Sequence, residues 1–138
     1  MTDANAVTGE EVAAVYPKVA SIIADSLGRD AAEITPDRAL IDDLGAESID
    51  FLDIVYRLER SFHVKIPRGQ IEANARGALS EKEFEHQGVL TSAGIARLRE
   101  FMSEVPPGRF PDRMKLADIP SLFTVETFCR IVVRSKRT

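Results

Sequence analysis

An all-α fold is predicted by this sequence, on three observations. Apolar residues recur at the 3.6-residue period of a helix over 12–27, 51–62 and 125–132. Residue types that open helices stand ahead of these and other runs: Thr8 with Glu11, Ser48, Ser80 with Glu83, Thr91 and Thr124. The chain has 138 residues, 44% of them apolar and 29% charged, which suits one domain with a packed core and a solvated surface.

Thr8-Gly9-Glu10-Glu11 has the capping-box spacing, and Val12, Val15, Val19, Ile22, Ile23 and Leu27 continue an apolar stripe. Pro17 lies inside that stripe. An interior proline removes a backbone donor and crowds the preceding turn, so the firm helix is expected from about Tyr16, with a looser turn ahead of it. Gly28 takes a C-cap position. Residues 29–40 read as a long loop, with a turn at Thr35-Pro36-Asp37 and apolar anchors at Ile34, Leu40 and Leu44. A long loop in a small domain often has a functional duty, and this one delivers the chain to Ser48.

The stretch Ile41-Asp42-Asp43-Leu44-Gly45-Ala46-Glu47-Ser48-Ile49-Asp50-Phe51-Leu52 runs a loop into the clearest helix of the chain. Gly45 supplies backbone freedom for a tight approach. Ser48 is a favoured N-cap residue, and Asp50 suits the positive end of the helix macrodipole. Phe51, Val55, Leu58 and Phe62 recur at helical spacing, flanked by Leu52 and Tyr56, while Asp50, Asp53, Arg57 and Arg60 take the opposite face. The helix is expected to end near Phe62.

Beyond it the helical pieces are short. One is expected over 69–76, Ser80-Glu81-Lys82-Glu83 opens another, and Thr91 caps a third reaching Ser103, with Ile95, Leu98, Phe101 and Met102 along one side. Val105-Pro106-Pro107-Gly108 stops it. Gly77, Gly88 and Pro106 separate the pieces, so a partly mobile appendage is expected, with its apolar side buried on the main core or beneath a dedicated partner. Residues 118–123 read as a short helical turn. Thr124 then caps a last helix bearing Val125, Phe128, Cys129, Ile131 and Val132. Arg130, Arg134, Lys136 and Arg137 gather towards its C-terminal end, where they complement the dipole and read as solvated.

Charge is uneven along the chain. Residues 1–66 hold thirteen acids against six Lys/Arg, a balance of −7; 67–117 stand at +1 and 118–138 at +2, within a total of −4. An acidic first half favours basic partners and repels nucleic-acid phosphates. No apolar run reaches the roughly eighteen residues of a membrane span. Residues 1–9 have neither a basic n-region nor an apolar block, so no secretion signal is expected. A lone cysteine excludes an internal disulfide and suits a reducing cytoplasm.

Few residues bear chemistry of their own. Cys129 sits in an apolar run and reads as a small core residue. His63 and His86 lack companions at metal-ligand spacing. The adjacent Asp42 and Asp43 read as a solvated or partner-facing pair before an acid–base pair. A serine ahead of an apolar-periodic run is ordinarily a cap, and no His, Lys or Cys within ten residues would activate Ser48, which disfavours a self-contained hydrolase.

The segment Asp42-Asp43-Leu44-Gly45-Ala46-Glu47-Ser48-Ile49-Asp50, with Leu58-Glu59-Arg60-Ser61-Phe62-His63-Val64-Lys65-Ile66-Pro67 behind it, resembles the acyl carrier proteins. In that family the serine of an Asp-Ser-Leu motif carries 4′-phosphopantetheine; here Glu47 and Ile49 replace its neighbours conservatively. Phe51-Leu52-Asp53-Ile54-Val55 looks most like the specialised carriers of very long acyl chains for lipid A. The resemblance covers 17–67 well and the last twenty residues loosely, and fails between them. It implies a four-helix bundle forming a single carrier domain over 1–138, with an inserted helical segment over 67–117 between the second and third helices. It implies 4′-phosphopantetheine on Ser48, attached by a phosphopantetheinyl transferase and bearing an acyl thioester that is passed among enzymes of fatty acid or lipid biosynthesis. The phosphodiester would lie at a helix N-terminus, which suits an anion. Asp42, Asp43, Glu47, Asp50 and Asp53 would dock basic patches on partner enzymes. Phe51, Leu52, Val55, Tyr56 and Leu58 would shelter the acyl chain. No catalytic residue, metal or nucleic acid is expected, and a cytoplasmic monomer is. A helical interaction module that is never loaded, and a carrier of polyketide or peptide cargo, stay open as alternatives.

Overall fold

In the computed structural model, residues 7–137 are described; the expectation of no secretion signal over 1–9 falls largely outside the described residues. Among these, six α-helices follow in order: α1 (Gly9–Leu27), α2 (Ser48–Phe62), α3 (Arg68–Arg76), α4 (Glu81–Phe84), α5 (Ser92–Phe101) and α6 (Val125–Lys136). Short 3-10 segments lie at Ala31–Glu33, Pro107–Arg109 and Leu116–Leu122, the last where the sequence suggests a third carrier helix. One two-stranded hairpin, β1 (Glu85–His86) with β2 (Val89–Leu90), precedes α5. The chain divides into two compact units, Met1–Ile66 with Thr124–Thr138, and Pro67–Phe123.

In the first unit α1 packs on α2 and α6. Its capping box forms as expected: Glu11 N–H donates to Thr8 Oγ1 at 3.1 Å, and Thr8 N–H donates to Glu11 Oε1 at 3.0 Å. The helix then runs unbroken through Pro17, which corrects the expected start near Tyr16. Pro17 and Ala13, whose carbonyl an i→i−4 donor would otherwise reach, are both exposed, so water can serve that carbonyl. Val12, Val15, Val19 and Ile23, on both sides of the proline, are buried along one stripe. That stripe holds the helix together across the missing bond.

Ile54 and Leu58 of α2 are fully buried, as are Val125, Cys129 and Val132 of α6, with Phe128 1% exposed. Burying each large apolar side chain stabilises the fold by roughly 1.5–3 kcal/mol. The ends of the unit are also fastened. The Tyr16 hydroxyl donates to the Ile34 carbonyl at 2.5 Å, and Arg137 Nη2 lies 2.7 Å from both carboxylate oxygens of Glu11.

The second unit has a core of its own. Phe84, Leu90, Ile95, Leu98, Met102, Val105, Phe110 and Met114 are buried, so the short pieces expected to form a loose appendage share one apolar centre. The hairpin is an element that the helical expectation lacks. Gln87 and Gly88 both take left-handed backbone, φ 52° and 80°, which is the geometry of a two-residue hairpin turn. Leu90 N–H donates to the Met114 carbonyl and Leu116 N–H to the Gly88 carbonyl, each at 2.8 Å, tying the later loop to the hairpin. Thr91 caps α5 by accepting from Gly94 N–H at 2.9 Å. Gly94 itself presses on the Phe84 carbonyl, leaving no room for a Cβ.

Candidate functional site

The loop ahead of α2 is anchored before it reaches Ser48. Ala39, Leu40, Leu44 and Ala46 are buried, and Ala39 pairs with Thr124 as an isolated antiparallel bridge. The Leu44 N–H donates to the Ala39 carbonyl at 3.1 Å and the Ala46 N–H to the Leu40 carbonyl at 2.8 Å. Between them Gly45 turns the backbone at φ 71°, a left-handed conformation that favours glycine. Arg29 Nε donates to the Leu44 carbonyl at 3.0 Å, and its Nη1 to Glu33 at 3.2 Å.

Ser48 is the first helical residue of α2, and the N-cap is Glu47 in extended backbone. This corrects the cap expectation for Ser48. The Glu47 N–H donates to Asp50 Oδ2 at 2.8 Å, so Asp50 closes the helix start from inside. Ser48 is exposed, and its hydroxyl makes no hydrogen bond among the described residues. The N–H groups of Ser48 and Ile49 open the helix, where no carbonyl lies a turn below them. An unengaged hydroxyl on a fixed backbone, beside free donors and the positive end of a helix, fits an attached phosphodiester.

The five acids around it have different duties. Asp42 and Glu47 are exposed. Asp43 accepts the Ala39 N–H at 2.8 Å, bracing the loop. Asp50, half-buried, serves the helix start. Asp53 accepts from the Ser26 hydroxyl at 2.6 Å and from Arg57 Nε at 2.9 Å. The Ser26 bond, with the Arg57 charge behind it, holds the Asp53 carboxyl below the ordinary aspartate range.

Of the five apolar residues expected to shelter a chain, Leu58 is buried and Phe51 and Val55 are half-buried. Leu52 and Tyr56 are 57% and 55% exposed, in line with Ile49 at 68%. Their expected inward placement is corrected: the core-facing arc of α2 is narrow and centred on Ile54 and Leu58, which turns positions 49, 52 and 56 outward. Tyr56 is held there by Arg60, whose Nη1 donates to its hydroxyl at 2.8 Å.

Three contributors went unforeseen. Ser26, Arg29 and Phe128 act on the site across long sequence distances, and no local pattern marks them. The Phe128 ring of α6 lies 5.8 Å from that of Phe51, tilted by 31°. Burial pushes the Cys129 thiol up to about 12, with Glu126 adding to the shift, and no cluster of three or more potential metal ligands exists among the described residues. No helix among them is long and apolar enough to cross a membrane.

Against known proteins, residues 17–76 match the family model described as "Phosphopantetheine attachment site". Over 73 residues the chain is 50% identical to the acyl carrier protein AcpXL of Rhizobium etli, an alignment covering 51% of this chain and 78% of that protein. It is 42% identical over 74 residues to AcpXL of Rhizobium meliloti, covering 53% and 78% of the two chains. With the acyl carrier protein of Syntrophobacter fumaroxidans it shares 44% identity over 63 residues, 46% of this chain and 78% of that one.

Proposed function

The chain belongs to the acyl carrier protein family, and from that premise we propose that Ser48 is where its covalent 4′-phosphopantetheine is attached. The observation that carries the assignment is the exposed Ser48 hydroxyl, without a hydrogen bond among the described residues, at the start of α2 behind a loop held by backbone hydrogen bonds. An acyl carrier is not a catalyst: it works with a phosphopantetheinyl transferase and acyl-handling enzymes in lipid biosynthesis.

The transferase step uses this chain's hydroxyl alone. The Ser48 Oγ–phosphorus bond forms at coenzyme A, the phosphorus–oxygen bond to 3′,5′-ADP breaks, and the serine proton leaves to a base of the transferase. The anchored loop and the first turn of α2 position Oγ, and the Ser48 and Ile49 N–H groups at the helix start would suit the anionic charge of the attached group. The arm supplies a terminal thiol on which cargo travels as a thioester.

The proposed cargo is a long acyl chain for a lipid A pathway, the reading that the resemblance of Phe51-Leu52-Asp53-Ile54-Val55 implies. The proposed setting is the cytoplasm, with the protein a monomer. Basic patches on partner enzymes meet the exposed Asp42, Asp43 and Glu47 first, with the half-buried Asp50 and Asp53 behind them. Such contacts are weak and salt-screened, as repeated hand-over requires. The segment over 67–117 is read as an insertion into the carrier domain; the compactness of the unit Pro67–Phe123 supports the insertion.

Incubation with a phosphopantetheinyl transferase and coenzyme A tests the assignment by intact mass. The wild-type chain gains one phosphopantetheine and Ser48→Ala gains none; normal loading of the variant would place the arm elsewhere.

A further inference from the structure

Two side chains at the end of α1 reach to either side of Ser48. Ser26, in the last turn, donates its hydroxyl to Asp53, five residues beyond Ser48, at 2.6 Å. Arg29 follows the left-handed C-cap Gly28 (φ 66°), and its own N–H is tied to the Ala24 carbonyl at 2.9 Å. From that root its Nε donates at 3.0 Å to the carbonyl of Leu44, four residues ahead of Ser48. Glu33 steadies the guanidinium by accepting from Nη1 at 3.2 Å. The Leu44 carbonyl belongs to the planar peptide that enters Gly45. The other edge of that plane, the Gly45 N–H, donates to the Ile41 carbonyl at 3.1 Å. Glycine populates either sign of φ about as readily, so Gly45 permits the turn at φ 71° without enforcing it. Enforcement comes from holding the peptide plane on both edges.

We propose that the end of α1 is a clamp that places Ser48 for loading, with Arg29 as the positioning residue on the loop side and Ser26 as the one on the helix side. This rests on the Ser48 assignment. Each side chain acts through its partner: Arg29 through the Leu44–Gly45 peptide, Ser26 through Asp53. The Arg29–Glu33 pair leaves 37% and 49% of its two side chains open to solvent, and an exposed pair contributes little to global stability. Its effect is local order. A loop that samples other turns at Gly45 presents Ser48 correctly only part of the time, and apparent affinity falls in proportion to the competent fraction. The guanidinium fork lets one residue hold a carbonyl and a carboxylate together, whereas a lysine ammonium has the charge without the planar fork.

The test measures loading of the full chain by a phosphopantetheinyl transferase with coenzyme A, followed by intact mass while the carrier concentration is varied. Arg29→Met raises KM for the carrier by about three- to tenfold with kcat nearly unchanged, and Arg29→Lys does not restore it. Ser26→Ala raises KM in the same direction. A charge effect has the opposite sign: loss of a cation makes the carrier more acidic, which tightens docking on a basic partner and lowers KM. The Ala46 amide, which donates to the Leu40 carbonyl, exchanges with solvent deuterium faster in Arg29→Met, while the amides of α6 and the denaturant midpoint stay as in the wild type. That pattern is local opening without global unfolding. A wild-type KM in Arg29→Met, full rescue by Arg29→Lys, or a rise in KM matched by global loss of the fold each overturns the clamp and leaves the attachment site standing. A wild-type chain that gains no mass at Ser48 overturns the assignment beneath it, and the clamp with it.

Discussion

The Ser26 hydroxyl donates to Asp53 Oδ2 over 2.6 Å, a bond that ties α2 to α1 beside the buried Ile54 and Leu58. Rotation of α2 about its own axis decides whether Ile49, Leu52 and Tyr56 face outward together, so a residue 22 positions before Ser48 helps to set what surrounds that serine.

Removing that bond has a signed effect on titration. The Asp53 carboxyl is held below the ordinary 3.8, chiefly by the Ser26 bond and then by Arg57. A depressed carboxylate contributes stability that is present above its unfolded value and lost as pH falls through the folded one. Ser26→Ala therefore raises the Asp53 titration midpoint, read by NMR of its carboxyl carbon. The stability gap between wild type and variant, open at pH 7, narrows on acidification below 3.8.

Substitutions at Ser48 and Asp50 test the proposed attachment apart from capping. Because Glu47 and Asp50 close the start of α2, Ser48→Ala leaves the denaturant midpoint nearly unchanged while abolishing loading. Asp50→Ala costs about 1 kcal/mol, the ordinary loss of a cap, and still loads. Urea unfolding beside intact mass measures both.

Cys129 is fully buried, with its thiol pushed up to about 12. A thiol-specific disulfide reagent at pH 8 leaves the native protein unlabelled and labels it once unfolded. Because the folded value lies above the ordinary 9.0, the unfolded chain releases this proton first. The contribution of Cys129 to stability is flat below pH 9.0 and declines towards 12. Cys129→Ala removes that decline.

Gly94 tests the second unit. A Cβ there would collide with the Phe84 carbonyl, which is backbone and has little freedom to retreat. Despite the higher helix propensity of alanine, Gly94→Ala destabilises by about 1–3 kcal/mol, measured as a lowered unfolding midpoint.

What was legible in the sequence was mostly local. The boxes at Thr8 and Ser80 and the caps at Thr91 and Thr124 form as their spacing predicts, because donor and acceptor lie within three residues. Pro17 misled because its cost depends on whether the orphaned carbonyl meets solvent, which is a tertiary fact. Ser48 misled because a carboxylate at the third helical position can serve the start of a helix as well as a cap hydroxyl can. Leu52 and Tyr56 misled for a third reason: periodicity locates a stripe but not the width of the neighbour that covers it. The hairpin had a signal in Gln87-Gly88, but strands of two residues are too short for any alternation to show. The ring pair at Phe51 and Phe128 needs the fold itself.

The clasp between Glu11 and Arg137 joins positions 126 residues apart, and it gives the molecule a history during synthesis. Chains elongate at roughly 5–20 residues per second, so α1 and α2 wait about 3–13 s between the appearance of Phe62 and that of Val125. In that interval Pro67–Phe123 emerges as an unbroken stretch and can finish folding first. The older half of the chain matures last. Ser48 spends those seconds with α1 and α2 made and α6 still to come.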